Sequence, residues 1–436
     1  MDALTILDRK RRGGRLGREE LAFMVGGYQR GEIPDYQMAA LLMAVAIHEL
    51  DVDEASHLTA VLVASGRRLD LSGVPGPVLT RRSTGGAGEK LDLIVAPLVA
   101  ALGVAFPVIA VPGIVGHTEG SAEKLAVIPG LRTELAEPEL IAVLREVGTV
   151  VARQPAGIVA VDHALFELRR LTASLKTTGL TTCSILSKKF AEGADGLVLD
   201  VKTGDPRAGM RPLLEAEGMA RFMVEVGRRF GRRMVALVTE LSQPLGRGIG
   251  LLPELREVLL TLQGQGPDDV TELAIETAAQ AVALAGRVAE IGQARDLSAR
   301  ALKDGSALAR FRAMVARQGG EGRVVDDPGL LGVAPVRELL RAETDGVVSA
   351  IGLDAVERAT LLLGAGREAA VARVDPRAGL MLHAKVGDAV RRGEPLAEVH
   401  AESSERAGLG LVALRDAYVI GHDRPAPRPL VHRVVQ

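Results

Sequence analysis

The stretch that most constrains this chain runs from Thr80 to Lys90 and reads Thr-Arg-Arg-Ser-Thr-Gly-Gly-Ala-Gly-Glu-Lys. Apolar Val78 and Leu79 lead into it as a short strand would, and Leu91 to Leu102 leave as an apolar helix. The glycines therefore sit on a strand-to-helix turn. Gly85, Gly86 and Gly88 let the backbone approach a ligand and turn its amides inward, while the start of the helix adds partial positive charge. An anion site is expected there, with Arg81, Arg82 and Ser83 at its lip as groups suited to phosphate. The common nucleotide loops do not fit. There is no G-x-x-x-x-G-K-[ST], and Leu91 stands where G-x-G-x-x-G needs its third glycine.

Further segments carry chemistry. Residues 107–130 place a loop of Pro112, Gly113, Gly116 and Gly120 between a strand-like run and a helix predicted over Ala122 to Ile128. Leu168-Arg169-Arg170-Leu171-Thr172 precedes Thr182-Cys183-Ser184-Ile185-Leu186-Ser187-Lys188-Lys189, in which Ser184 and Lys188 share one helix face. The strand-like Gly196 to Gly204 follows.

The length of 436 residues suits two or three domains. Lys plus Arg number 53 against 55 Asp plus Glu, which does not indicate a nucleic-acid or acidic-membrane partner. One cysteine, Cys183, excludes an internal disulfide framework. The N-terminal residues lack the apolar core of a signal peptide, and no apolar run reaches spanning length, so a cytoplasmic protein is expected. With no Trp and few Tyr or Phe, a base would not be read by stacked rings.

Residues 1–66 read as helices, with Asp35 expected to cap one over Tyr36 to His48, and Asp51 or Asp53 another ending at Ser65. From about residue 70, strands alternate with helices, which argues for α/β layering. The alternation breaks over about 131–190, where the pattern is helical, and resumes at 196. A helical run spans 253–318. The remainder is β-rich, with strands expected at Gly346 to Ile351, Ala369 to Asp375 and from Gly379, and a K-x-G-D-x-V-x-x-G pattern from Lys385 to Gly393 read as a structural barrel-sandwich turn.

In order and spacing, these stretches together resemble the thymidine and pyrimidine-nucleoside phosphorylase family over nearly the whole chain. The resemblance implies a helical lobe facing a large α/β lobe across a cleft, with a C-terminal α+β, barrel-sandwich-like domain. Residues 1–66 and 157–192 would form the helical lobe, 67–156 and 193–328 the α/β lobe, and 329–436 the last domain. Crossings near 67–77 and 155–160 would be hinges, and the helical lobe a homodimer interface. The implied activity is phosphorolysis of a pyrimidine nucleoside to free base and pentose 1-phosphate, with inorganic phosphate as co-substrate and no cofactor. Arg169, Ser184 and Lys188 correspond to the family's base-binding Arg, Ser and Lys.

The phosphate side departs from the family. Its usual Lys-His-Ser-Thr-Gly-Gly-Val-Gly-Asp is here Arg81 to Glu89. Arg82 replaces a His considered for proton transfer, which a guanidinium cannot perform near neutrality. Asp92 stands where the family has a phosphate-binding Ser. Arg81, Ser83, Gly86 and Ser121 remain as phosphate ligands, and Arg82 and Asp92 as the candidate catalytic pair. Asp92 reads either as an ion pair with Arg81, Arg82 or Lys90 or as a general base on water. The alternatives to a phosphorylase are thus a nucleoside or nucleotide hydrolase and a non-catalytic nucleoside binder. His117 is read as loop structure and Cys183 as a small buried residue. No metal site is expected; the family often binds a monovalent cation near the glycine turn, and Lys90 stands in that region, which leaves the cation open.

Overall fold

The computed structural model describes residues 1–111, 120–205, 210–367 and 373–436. Four helices open the chain: α1 (Ala3–Arg11), α2 (Arg18–Gln29), α3 (Asp35–His48) and α4 (Val52–Ala64). Asp51 caps α4 by accepting from Glu54 N, and Glu54 reaches back to Asp51 N, a reciprocal cap that fixes the start of the helix. Asp35 does not cap α3. Pro34 holds the cap position, and the Asp35 carboxylate accepts from Tyr28 Oη at 2.9 Å.

The alternating part follows with β1 (Leu79–Ser83), α5 (Leu91–Ala101), β2 (Phe106–Ala110), α6 (Ser121–Leu125), α7 (Glu137–Val147) and β3 (Thr149–Arg153). Helix α6 ends three residues before the expected Ile128. Strand β3, which the helical reading of 131–190 passed over, pairs in parallel with β2. Then come α8 (Asp162–Leu171), α9 (Thr178–Ala191), β4 (Gly196–Thr203), α10 (Leu213–Arg229), β5 (Arg233–Glu240), β6 (Gly248–Ile249), α11 (Leu251–Leu262), α12 (Asp268–Leu284), α13 (Ile291–Lys303) and α14 (Ser306–Arg317). Helix α9 packs on α4, joining α8 and α9 to the N-terminal helices.

The last part holds β7 (Val336–Arg341), β8 (Gly346–Ile351), α15 (Leu353–Leu363), β9 (Gly379–Leu382), β10 (Ala389–Val390), β11 (Pro395–Ala401), α16 (Ser404–Arg415), β12 (Tyr418–Gly421) and β13 (Val431–Val435). The expected strand at Ala369 begins outside the described residues. The main sheet has the order β1-β4-β5-β13, parallel except for the final strand, and β4 is buried along its whole length. The C-terminal part builds sheets of order β6-β9-β11-β7 and β10-β8-β12 rather than a closed barrel. It shares strands with the α/β part in both directions, since β6 joins its sheet and β13 returns to the main one. The two crossings between the helical and α/β parts run side by side: Arg67 bridges Ile158, and Arg67 N donates to Gly157 O at 2.7 Å.

Candidate active site

Strand β1 ends in the glycine turn, and its alternation decides what each arginine can do. Successive residues of a strand point to opposite faces, so Arg81 and Ser83 share one face and Arg82 takes the other. The two arginines expected together at the lip are thereby separated. The Arg81 guanidinium is completely buried and donates to Asp92 Oδ1 (2.7 Å), Glu89 Oε1 (3.1 Å) and Asp200 Oδ2. Asp200 also accepts from Lys202 Nζ (2.8 Å) and from the Thr239 hydroxyl. Three carboxylates thus meet two cations. Burial would raise the Glu89 carboxyl, yet the charges of Arg81 and Lys202 hold it well below the usual carboxylate range. Burial opposes charge on Arg81 too, and Glu89, Asp200 and Asp92 keep it firmly protonated.

Arg82, half-buried, forms no ion pair among the described residues, and its buried Nε has no hydrogen-bond partner. Its charge acts on Lys188 and Glu192 of the facing helical part. Ser83 Oγ accepts from Gly85 N at 3.1 Å, and Gly85, Gly86 and Gly88 all take positive φ. Ser121 opens α6; the preceding loop, His117 included, lies outside the described residues, as do 206–209 of the turn after β4.

On the helical side, Ser184 and Lys188 lie one turn apart on α9 and converge on Asp162 at the start of α8. Lys188 Nζ is 2.5 Å from Asp162 Oδ2 and 2.7 Å from Ser184 Oγ, and Ser184 Oγ donates to Asp162 Oδ2 at 3.1 Å. Burial lowers the Lys188 pKa, the Asp162 carboxylate works against that, and Arg82 adds to it. Arg169 lines the same small cavity as Asp162 and Ser184, and its guanidinium ties the end of α8 to the start of α9 through Leu175 O (2.9 Å), Ser174 O (3.3 Å) and Thr181 Oγ1 (3.3 Å). Cys183 is buried, donates to Ala55 O at 3.3 Å, and has its thiol pKa pushed up to about 12 by burial, which suits the small buried residue expected.

Asp162 was not singled out in the sequence. It lies seven residues before Arg169, two turns along one helix face, which was the available signal. Asp200 and Lys202 announce themselves as alternate charged positions in an otherwise apolar strand.

Lys90, at the mouth of α5, is fully buried. Its ammonium donates to Gly248 O (2.7 Å), Leu245 O (3.3 Å) and the Glu257 carboxylate, an all-oxygen cage. Among the described residues, no three His, Cys, Asp or Glu side chains converge as metal ligands, and no helix is long and apolar enough to cross a membrane.

Comparison with known proteins accounts for these parts. Residues 4–66 match the helical bundle domain of a glycosyl transferase family, 76–308 its a/b domain, and 347–421 the pyrimidine nucleoside phosphorylase C-terminal domain. The chain is 40% identical over 405 residues to a pyrimidine-nucleoside phosphorylase of Geobacillus stearothermophilus, covering 93% of each chain. It is 38% identical over 435 residues to one from Staphylococcus haemolyticus, covering 100% of both. Among solved structures, anthranilate phosphoribosyltransferase from Thermus thermophilus shares the fold, with a TM-score of 0.59 at 19% identity over 73% of this chain and 99% of that one.

Proposed function

The chain belongs to the pyrimidine-nucleoside phosphorylase family, and from that premise we propose that it cleaves a pyrimidine nucleoside with inorganic phosphate, releasing the base and a pentose 1-phosphate. The observation that carries the reading is the pairing of an intact polar cluster, Asp162, Ser184 and Lys188, with an arginine facing it, Arg82, that forms no ion pair among the described residues. One side can read a base; the other can hold an anion.

In this reading, Ser184, Lys188 and the remaining capacity of Arg169 bind the pyrimidine. Arg82 receives phosphate from one face of β1, and Ser83, the last residue of that strand, from the other, with the Gly86 amide and Ser121 completing the site. A phosphate oxygen attacks the anomeric carbon as the bond to the ring nitrogen breaks and its electron pair moves onto the base. Lys188 stabilises that charge, and its burial makes the ammonium readier to give the base a proton. Arg81, held by three carboxylates, acts behind the turn rather than on the substrate. Asp92 pairs with Arg81 at 2.7 Å, which favours the ion-pair role over a general base on water.

Three finer features belong to the same reading. The Lys90 ammonium supplies the charge a monovalent cation would bring to the glycine turn, so no added cation is required. Exposed Leu4, Tyr36, Ile47 and Leu171 lie on α1, α3 and α8, which pack together, and form the apolar face of a homodimer. The paired crossings at Arg67 and Ile158 are the hinge on which the two sides close, in a cytoplasmic enzyme.

The test is base release from uridine, thymidine, deoxyuridine and cytidine with and without inorganic phosphate. Release that depends on phosphate supports the proposal. Release indifferent to phosphate, or none despite saturable nucleoside binding, overturns it.

A further inference from the structure

The loop joining β5 to β6, residues 241–247, touches both the glycine turn and the C-terminal part. On its inner side, Leu245 N donates to Ala87 O at 3.1 Å, and Lys90 Nζ holds Leu245 O and Gly248 O. On its outer side stands Lys385, the lysine of the K-x-G-D pattern. Its Nζ donates to Pro244 O (2.5 Å), Gly246 O (2.6 Å) and Asp269 Oδ2 (3.2 Å), and its side chain is only 12% exposed. Asp269 closes the ring by accepting from Gly246 N at 3.0 Å. The next residue continues the grip, since Val386 N donates to Gln243 Oε1 at 3.0 Å, and Arg247 Nη1 reaches back to His383 O at 2.7 Å.

Four of the five carbonyls from Pro244 to Gly248, all but that of Arg247, are therefore held by two lysine ammonium groups, Lys385 on 244 and 246 and Lys90 on 245 and 248. A buried ammonium without its acceptors is costly, so each lysine fixes the position of the carbonyls it binds. The carbonyls in turn set how closely the loop approaches Ala87 and Gly88; at Gly88 a positive φ and the Leu245 carbonyl, which a Cβ would strike, leave no room for a side chain.

We propose that Lys385 is a positioning residue for the glycine turn: through the clamped 243–248 loop, the C-terminal part sets the geometry of the anion-binding half of the site. The role assigned to that half rests on the phosphorolysis reading; the mechanical coupling does not. It gives the K-x-G-D turn a function beyond its own fold, acting on a site to which it contributes no ligand.

The experiment compares the full-length parent with Lys385→Met, which keeps the stem and removes the ammonium, and Asp269→Asn, which weakens the clamp from the other partner. Hydrogen–deuterium exchange of the unliganded proteins is the first readout. Coupling requires amides of 84–90 to exchange about tenfold faster in both variants, with those of α9 unchanged. Steady-state kinetics is the second. The value of kcat/KM for phosphate falls about tenfold while KM for the nucleoside holds. A merely local tie would lower Tm and speed exchange only within 243–248 and 383–388, leaving 84–90 at the parent rate; that result overturns the proposal. Should Lys385→Met fail to fold, Asp269→Asn decides between the same two patterns. A parent without phosphorolysis would overturn the functional reading alone, because the exchange pattern still supports or refutes the coupling.

Discussion

Lys188 Nζ sits 2.5 Å from Asp162 Oδ2, in a buried pair that also takes in Ser184 Oγ. The carboxylate works against the desolvation that lowers the lysine's pKa, so in the proposed reaction Asp162 acts through Lys188 rather than on the substrate. Its effect is legible in the pH dependence of the reaction.

Replacing Asp162 by Asn removes the stronger of the two carboxylate charges that support Lys188, leaving only Glu192. The lysine is protonated below its folded pKa and loses its charge as pH rises through it. Without the carboxylate that value falls further, so the alkaline limb of kcat/KM for the nucleoside moves to lower pH. A pH–rate profile measures this; an unmoved limb with lower activity throughout would assign Asp162 a structural role only.

Arg82→Gln tests the facing arginine. Because Arg82 has no ion pair among the described residues, stability should stay within about 0.5 kcal/mol in urea denaturation. The value of kcat/KM for phosphate should fall about a hundredfold. Since Arg82 lowers the Lys188 pKa, the alkaline limb should move up, opposite to Asp162→Asn. Unchanged phosphate kinetics would remove Arg82 from the anion site.

Asp92→Asn leaves Arg81 with Glu89 and Asp200, so the fold should survive at a cost of about 1–2 kcal/mol. Deleting a negative charge beside the glycine turn should lower KM for phosphate about threefold. If Asp92 were instead a general base on water, the variant would lose all base release, and phosphate would not restore it.

Lys90 offers a cation test. The parent should show the same Tm and rate in sodium, potassium or tetramethylammonium chloride at one ionic strength. Lys90→Ser leaves the carbonyls of Leu245 and Gly248 and the Glu257 carboxylate without their ammonium, costing about 3–5 kcal/mol. Potassium should then raise the Tm of the variant specifically. A parent that responds to potassium would show that Lys90 does not fill this role.

Ile47, 68% exposed on α3, belongs with Leu4, Tyr36 and Leu171 to the proposed dimer face. Ile47→Asp should turn a dimeric parent into a monomer by light scattering, with little loss of monomer stability because the position is solvent-facing in the single chain. A parent that is monomeric at micromolar concentration would refute the interface.

The layered fold was readable because glycine turns and apolar periodicity mark α5, α9, β4 and β5 in the chain itself. Strand β3 was not, since five residues between two helices carry little periodicity against their neighbours. The candidate polar cluster was readable where one element carries it: Ser184 and Lys188 are four apart on one helix. Asp162 escaped because it belongs to another helix and meets them only through packing. Arg81 and Arg82 looked equivalent as neighbours in sequence. Strand alternation makes them opposites, and only the pairing of β1 with β4, which sets Arg81 opposite Val198 and Ser83 opposite Asp200, puts Arg81 on the face where it reaches the Asp200 carboxylate. Lys385 is separated from its loop acceptors by about 140 residues of chain, a distance across which local pattern carries no information.

The most direct test is the origin of the oxygen bonded to the anomeric carbon of the product. The parent is incubated with uridine or thymidine and inorganic phosphate in water enriched in oxygen-18, and the sugar product is examined by phosphorus NMR and mass spectrometry. Phosphorolysis gives a pentose 1-phosphate whose anomeric oxygen comes from phosphate and carries no solvent label. Free pentose formed from the first turnovers at a rate independent of phosphate, with no pentose 1-phosphate detected, would identify water as the nucleophile and contradict the account.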